Sequence, residues 1–395
     1  MFSKRSVVSL AKASLFKNQP IYSQFYITAR CNLTCEQCNI IFANSDVAEC
    51  SIDEIKMIAD NYAELGVAMV LLTGGEPFAR KDLPEIVRAF ESNGVHVRMQ
   101  TNGFASEKQI VDVVEAGGRD ISISLDSLNP SIQDSINGGF SQSWHRALEA
   151  VALFTKHLPK EASFASFGCV LQPSNLADVE DVIRFGTAIS WYSSVVPIHV
   201  TSQIAPRGFR VFDPDFGWSE SEQKLAFALV ERIRLMRQDG YLLYDSDQYL
   251  DDIKRFISNE PTTWRRKNGG VCDSPNLYFA LLPNGQVAPC CDFRLSDAPF
   301  AFAENFPSAF RSKSLKTKIQ DIAKGCDGCM YGSYPEISIS MRYLQAKIDR
   351  FRGFIAAPIE KNWPWTYDDL LTLAQDIRAN REEETDVQKI KIREL

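Results

Sequence analysis

Three cysteines, Cys31, Cys35 and Cys38, lie in one short loop directly after the apolar run of residues 25–28. Cubane iron–sulfur clusters are held by cysteine thiolates and normally have four protein ligands. Three thiolates would leave one iron open, and an open coordination position distinguishes a working metal site from a structural one. The same cysteines could instead bind zinc with a distant histidine, or be buried thiols that bind nothing.

A glycine-rich segment, Gly74-Gly75-Glu76-Pro77, comes later in the chain, again after an apolar run. Paired glycines allow the backbone to approach a ligand closely. A carboxylate beside them can accept hydrogen bonds from an ammonium group. On its own the segment is equally compatible with an ordinary turn.

A second group of cysteines lies near residue 300. Asn284-Gly285 separates two β-like runs, residues 277–282 and 286–288, and this pattern predicts a hairpin. The hairpin would bring Cys272 close to Cys290, and Cys326 with Cys329 forms a C-x2-C loop. Four such thiolates can enclose a metal completely, in a zinc ribbon or in an iron–sulfur cluster. Cys291, next to Cys290, could replace it as a ligand.

Alternating strands and helices are predicted to position these motifs. The predicted strands are residues 24–28, 68–73, 95–101, 120–125, 163–171 and 196–203, and the predicted helices between them are 51–65, 82–93, 106–116, 141–156 and 176–189. Alternating units of this kind imply parallel strands with right-handed crossovers. Six units fit an α/β partial (β/α)6 TIM-like barrel, whose functional face lies at the carboxyl ends of the strands.

The cysteine loop, the Gly-Gly-Glu-Pro segment and their places at strand ends together resemble the radical S-adenosylmethionine (SAM) superfamily. The resemblance implies a [4Fe–4S] cluster on Cys31, Cys35 and Cys38, with SAM bound at its open iron. It also implies contacts to SAM from residues at the strand ends: Gly74, Gly75, Glu76, Pro77, Asn102, Ser122, Ser124 and Asp126. Gln172 and Asn175 are weaker candidates. Many members carry an aromatic residue where this chain has Gln37, so no residue is assigned to stack on adenine.

The second cysteine group resembles the superfamily's SPASM extension in its shortened twitch form. This resemblance implies one auxiliary [4Fe–4S] cluster on Cys272, Cys290, Cys326 and Cys329, which cannot bind SAM. The implied activity is oxidoreductase-type: oxidation or dehydrogenation of a small molecule, with the auxiliary cluster accepting an electron. Asp273, Asp292 and His199 are candidates for the base that this reaction needs.

Other functions stay open. An epimerase would need a hydrogen donor, for which Cys169 and Cys291 are candidates, although buried cysteine is also ordinary core material. Peptide maturation is a further option, but the first 23 residues leave no space before the barrel for the leader-binding domain of many peptide-modifying relatives. A remote alternative is a zinc or iron–sulfur protein without catalytic activity.

The bulk composition indicates the broad class of protein. The chain has 395 residues, ten cysteines and a net charge of −7, which argues against nucleic acid or an anionic membrane as the main partner. Clustered cysteines favour metal binding in a reducing, cytoplasmic compartment over disulfides. We expect a flavodoxin- or ferredoxin-type electron donor.

Five regions are predicted along the chain. They are a basic N-terminal helix or extension (1–23), the barrel (24–206), a helical insertion or linker (207–270), the auxiliary-cluster domain (271–335), and C-terminal helices with a tail (336–395).

Overall fold

The computed structural model describes residues 3–35, 37–38, 48–199, 217–265, 272–291, 293–326, 328–355 and 359–393. A sheet of eight strands forms its centre, in the order β6-β5-β4-β3-β2-β1-β7-β8. The strands are β1 Tyr22–Thr28, β2 Met69–Gly74, β3 His96–Thr101, β4 Asp120–Ser124, β5 Phe164–Leu171, β6 Tyr192–Pro197, β7 Tyr278–Leu281 and β8 Val287–Ala288.

The first six strands pair in parallel, each with the next along the chain. Helices connect them: α2 Ile52–Leu65, α3 Leu83–Ser92, α4 Glu107–Glu115, α5 Pro130–Ile136, α6 Ser143–His157 and α7 Val179–Ala188. The predicted partial (β/α)6 barrel is confirmed. The helix starts were readable because their caps are local: Ser51 and Glu54 form a capping box at α2, and Ser106 caps α4.

The remaining helices lie before and after the barrel. They are α1 Lys4–Phe16, α8 Glu220–Gln238, α9 Asp247–Ile257, α10 Phe306–Arg311, α11 Lys313–Ala323, α12 Ser333–Arg342, α13 Leu344–Ile355 and α14 Tyr367–Arg393. α1 lies against the loops that precede β2 and β3, since Arg5 donates to Val67 O and Ser6 to Gly94 O. Among the described residues, no helix is long and apolar enough to cross a membrane.

Three predicted boundaries are wrong. The sixth strand begins at Tyr192, not at residue 196, because its first residues, Tyr-Ser-Ser, are polar on a strand that faces the barrel interior. The helix predicted over 337–354 is two helices that divide at Tyr343. The last helix continues beyond residue 381 to Arg393.

The predicted hairpin at Asn284-Gly285 forms, with β7 antiparallel to β8. Its first strand also pairs in parallel with β1, from Tyr22 with Tyr278 to Phe25 with Leu281. The hairpin therefore extends the barrel sheet beyond β1. This places the second cysteine region against the strand whose end carries the first.

Candidate active site

The first three cysteines follow β1 at its carboxyl end. The Leu33 N–H lies 3.4 Å from Cys31 Sγ, and the Cys38 N–H donates to Cys35 O at 3.1 Å, which closes the loop into a turn. Burial raises the pKa of Cys35 to about 12, and the neighbouring Cys38 adds to the shift. A thiol held in this way needs a positive partner to ionise, and a cluster iron would be one.

Two asparagines flank the cysteine loop. Asn102, just after β3, places its Nδ2 3.7 Å from Cys31 Sγ and 2.9 Å from Asn32 Oδ1. Asn137, after α5, places its Oδ1 3.5 Å from Cys35 Sγ. Asn102 was expected at this site, whereas nothing in the sequence pattern indicated Asn137.

The glycines of the Gly-Gly-Glu-Pro segment touch the backbone that leads into the cysteine loop. A Cβ on Gly74, at φ 134°, would lie 2.1 Å from Thr28 O, and a Cβ on Gly75 would lie 2.2 Å from Arg30 O. The N–H of Gly75 donates to Thr28 O and that of Glu76 to Arg30 O, both at 2.8 Å. Only glycine fits either position, so the two motifs lock together through backbone atoms.

The Glu76 side chain is 2% exposed and binds within the protein. Its Oε1 accepts hydrogen bonds from the Phe78 N–H at 3.0 Å and the Thr101 hydroxyl at 2.8 Å, and its Oε2 accepts one from the Asn102 N–H at 2.8 Å. Burial raises the pKa of Glu76 to about 7. The carboxylate thus connects the end of β2 to the end of β3.

Polar side chains line the barrel interior below these loops. Ser122 and Ser124 share the inner face of β4: Gln100 of β3 donates to Ser124 at 3.0 Å, and a Cβ on Gly168 of β5 would lie 3.6 Å from Ser122 Oγ. The interior is therefore lined by uncharged hydrogen-bonding groups at this level.

Asp126 is buried just beyond β4. Its Oδ1 accepts from the Val170 N–H at 2.6 Å, and burial raises its pKa to about 6. Asn175 donates to Asp126 O and to Val170 O, and its own Oδ1 accepts from the Gln172 N–H. Asn175 thus holds the ends of β4 and β5 together, which is a structural role.

The four cysteines of the second group line a single cavity. Cys272, Cys290, Cys326 and Cys329 surround it together with Trp264, Tyr278 and Tyr334. Within the described part of the chain, no three His, Cys, Asp or Glu side chains stand in a finished metal-binding arrangement, in this cavity or at the first triad. The fit to a thiolate-bound metal therefore rests on the four sulfur donors and the shared cavity that they face.

Cys290 and Cys291 face different spaces. Cys290 lines the four-cysteine cavity, whereas Cys291 does not. Cys291 Sγ lies 3.6 Å from Gln24 Oε1 of β1 and 3.6 Å from the Tyr334 hydroxyl. The structure thus places Cys290 with the other three cysteines and Cys291 beside the barrel strand.

Cys169 lies away from the barrel interior. It shares its face of β5 with Phe167, which packs on Phe185 of α7, and it is 1% exposed in the hydrophobic core. The neighbouring Gly168 and Val170 face inward instead. The expectation that Cys169 points into the barrel is wrong, because the strand's alternation places it on the helix side.

Two of the three candidate bases are engaged elsewhere. Asp273 is fully buried, and both of its oxygens bind the Arg342 guanidinium. His199 Nδ1 donates to Pro197 O at 2.8 Å, while its Nε2 accepts from the Met330 N–H at 2.9 Å. These bonds correct the predicted roles, since neither group is available to take a substrate proton. Asp292 lies outside the described residues.

The sequence did not identify the residues that hold the C-x2-C loop. Trp264 was expected to pack within the insertion, but it lines the cavity and donates to Cys329 O at 2.8 Å. Arg265 donates to Cys326 O. A tryptophan in a charged segment carries no spacing signal, so only the tertiary contacts find it.

Comparisons with known proteins agree with this site. A family model described as the radical SAM superfamily matches residues 25–186. A probable GTP 3′,8-cyclase of Methanococcus maripaludis is 31% identical over 268 residues, which are 60% of this chain and 89% of that protein. The PqqA peptide cyclase of Rhodopseudomonas palustris is 31% identical over 273 residues, 69% of this chain and 67% of that protein. The chain belongs to the radical SAM superfamily.

Coverage differs among the relatives. The chain spans only 58% of the length of a probable GTP 3′,8-cyclase of Methanococcus vannielii, with 32% identity over 174 residues. Among solved structures, Streptococcus suis SuiB bound to its precursor peptide SuiA matches with a TM-score of 0.60 at 16% identity, over 86% of this chain and 80% of that one. The structure titled anSMEcpe with bound AdoMet matches with a TM-score of 0.55 at 13% identity, over 83% of this chain and 98% of that one. These structures share the fold.

Proposed function

We propose that the protein binds a [4Fe–4S] cluster through Cys31, Cys35 and Cys38, with SAM at the open iron. When bound, the cluster supplies the electron that splits SAM into methionine and a 5′-deoxyadenosyl radical, which removes a hydrogen atom from substrate. The observation that supports the SAM site is the backbone contact of Gly74 and Gly75 with the start of the cysteine loop.

The chain's own residues then have defined tasks at this site. Gly74, Gly75 and Pro77 shape the backbone that faces the amino group of SAM. Glu76 holds the ends of β2 and β3 in register, and through Asn102 it fixes the surroundings of Cys31. Ser122, Ser124 and Asp126 offer the next hydrogen-bonding groups along the strand ends.

We propose that the net reaction is an oxidation of the substrate. The observation that carries this proposal is the cavity shared by Cys272, Cys290, Cys326 and Cys329. A second [4Fe–4S] cluster there would supply an acceptor for one electron from the substrate radical. Tyr334 lines this cavity and packs edge-on against Tyr22 of β1 at 6.1 Å, so the cavity lies directly behind the barrel wall.

Peptide maturation is a second candidate, and it concerns the substrate and not the electron count. It is favoured by the similarity to the PqqA peptide cyclase, which extends over 69% of this chain. A small molecule is favoured by the similarity to the GTP 3′,8-cyclases. Product analysis with a nucleotide, an aminocyclitol and a peptide pool would separate the substrate classes.

A redox-neutral reaction is a third candidate, and it depends on Cys291. This thiol lies next to Gln24 on the inner strand β1, where it could return a hydrogen atom to a substrate radical. Such a product would carry one solvent-derived hydrogen and would consume no oxidant.

The test is anaerobic reconstitution with iron and sulfide, followed by measurement of 5′-deoxyadenosine and oxidised product. We expect Cys272→Ala to form 5′-deoxyadenosine but to lose the oxidised product. Cys50→Ala is the matched control, because Cys50 is also buried but lies outside both cysteine groups. Equal product from Cys272→Ala and Cys50→Ala would refute an electron-accepting role for the cavity.

A further inference from the structure

Side chains from outside the hairpin hold the loop that carries Cys326 and Cys329. The bonds are from Arg265 to the Cys326 carbonyl, from Trp264 Nε1 to the Cys329 carbonyl at 2.8 Å, from the Tyr249 hydroxyl to the Met330 carbonyl at 2.7 Å, and from the Met330 N–H to His199 Nε2 at 2.9 Å. Four backbone groups around the C-x2-C loop are thus bound by α9, the segment that follows it, and the end of β6.

The segment that follows α9 is itself fixed from below. Asp252 of α9 is fully buried, and its carboxylate accepts from the N–H and hydroxyl of Thr263 and from the N–H of Trp264, at 2.7 to 2.9 Å. A carboxylate that accepts three hydrogen bonds in a buried position holds a turn rigidly. The indole of Trp264 therefore reaches the cavity from a defined position.

The loop also packs closely on this segment. Gly328 has a φ of +98°, and a Cβ there would lie 1.9 Å from Thr262 Oγ1. Any larger residue would push the loop away from the segment, so glycine between the two cysteines is required by this contact. Trp264 is 1% exposed and closes one side of the cavity that the four cysteines line.

We propose that Trp264, together with Arg265 and Tyr249, is a positioning residue for the second metal centre. It sets the location of Cys326 and Cys329 before metal binds, so that two of the four thiols are preorganised by the insertion and not by the hairpin. The inference rests on the proposed second cluster. It gives the insertion a role at the metal site in place of the expected role as a roof over the barrel.

The test needs the second centre in isolation. The full chain with Cys31, Cys35 and Cys38 all changed to Ala retains only the second cysteine group, and it is reconstituted anaerobically with iron and sulfide. Trp264→Phe is then introduced, which keeps the ring but removes the N–H. Trp218→Phe is the matched control, because Trp218 lies in the same insertion and its Nε1 has no partner among the described residues.

The readout is the loss of iron to a ferrous chelator, followed by its absorbance. Residues that orient metal ligands typically change metal affinity by about 10- to 100-fold. We expect Trp264→Phe to lose iron about tenfold faster than Trp218→Phe, and Tyr249→Phe to show a smaller increase. Equal rates in Trp264→Phe, Tyr249→Phe and Trp218→Phe would overturn the inference.

The same experiment separates this inference from the proposed function. If the parent with three alanines binds no iron, or binds only zinc, the proposed second cluster is wrong and the inference falls with it. If the parent binds about four irons and the Trp264 variant behaves as the control does, only the positioning role is wrong. Faster reaction of Cys326 and Cys329 with a thiol reagent in metal-free Trp264→Phe would support preorganisation directly.

Discussion

The Glu76 carboxylate accepts a hydrogen bond from the Asn102 backbone N–H at 2.8 Å, and the Asn102 side chain lies 3.7 Å from Cys31 Sγ. One buried acid therefore connects the Gly-Gly-Glu-Pro segment, the end of β3 and the first cysteine. This connection joins three motifs that are far apart in the sequence, and it makes Glu76 a structural element of the SAM site.

Changing Glu76 to Gln tests this connection through pH. The pKa of Glu76 is raised by burial from 4.5 to about 7, so the folded protein holds the proton more tightly than the unfolded chain does. Its contribution to stability is therefore full below pH 4.5 and is lost as the pH rises towards 7. The total effect is on the order of 3 kcal/mol, at about 1.4 kcal/mol for each pKa unit.

We expect the fall in unfolding free energy between pH 5 and pH 8 to be smaller in Glu76→Gln than in the wild type. Urea unfolding of the metal-free protein at several pH values measures it. An unchanged pH dependence would show that the carboxyl titrates normally. The variant should also lose SAM cleavage, because an amide NH2 would face one of the backbone N–H donors.

Gly74→Ala tests the backbone contact at the SAM site. The added Cβ would lie 2.1 Å from Thr28 O at a φ of 134°, so either the end of β2 or that of β1 must move. Gly139→Ala is the matched control, since Gly139 also has a positive φ but nothing lies within 4 Å of its Cβ. We expect a loss of about 1 kcal/mol for Gly139→Ala and of several kcal/mol for Gly74→Ala.

Thermal unfolding and 5′-deoxyadenosine formation are the two measurements for the glycine pair. Gly139→Ala should retain SAM cleavage, whereas Gly74→Ala should lose it. Comparable activity in the two variants would mean that the close approach at Gly74 is not needed.

Asp273→Asn separates a catalytic base from a buried ion pair. Both oxygens of Asp273 bind Arg342, and the residue is fully buried. We expect a loss of about 1 to 3 kcal/mol in unfolding free energy, because the guanidinium loses its charged partner. Turnover per folded molecule should be unchanged, whereas loss of a general base would lower kcat by about 10²- to 10⁴-fold. A drop of that size at unchanged cluster content would restore Asp273 as the base.

Cys169 and Cys291 make different predictions as hydrogen donors. Cys169→Ala removes a core thiol on the helix side of β5, so we expect a small loss of stability and unchanged product. Under the proposed oxidation, Cys291→Ala should also retain the oxidised product. Mass spectrometry of product formed in D2O checks both variants. If product from the wild type carries one deuterium and Cys291→Ala forms none, the reaction is redox-neutral and uses this thiol.

Much of the site was determined by the sequence alone. Cys31, Cys35 and Cys38, the Gly-Gly-Glu-Pro segment and the Asn284-Gly285 turn are short-range patterns, and their chemistry depends on residue type and spacing. The strands and helices of the barrel were also readable, since caps such as Ser51 with Glu54 act within one helical turn. Local signals of this kind need no knowledge of the rest of the chain.

The tertiary structure decided which groups meet. Cys169 and the Cys290–Cys291 pair could be assigned to a side only once strand pairing and packing were known, since a single step along the chain can turn a side chain to the opposite face. The partners of Glu76, Asp273 and His199 come from segments far away in the sequence. Trp264 reaches the C-x2-C loop only because α9 packs beside it. Side-chain direction and long-range contact follow from the packing of whole elements, and residue spacing does not encode them.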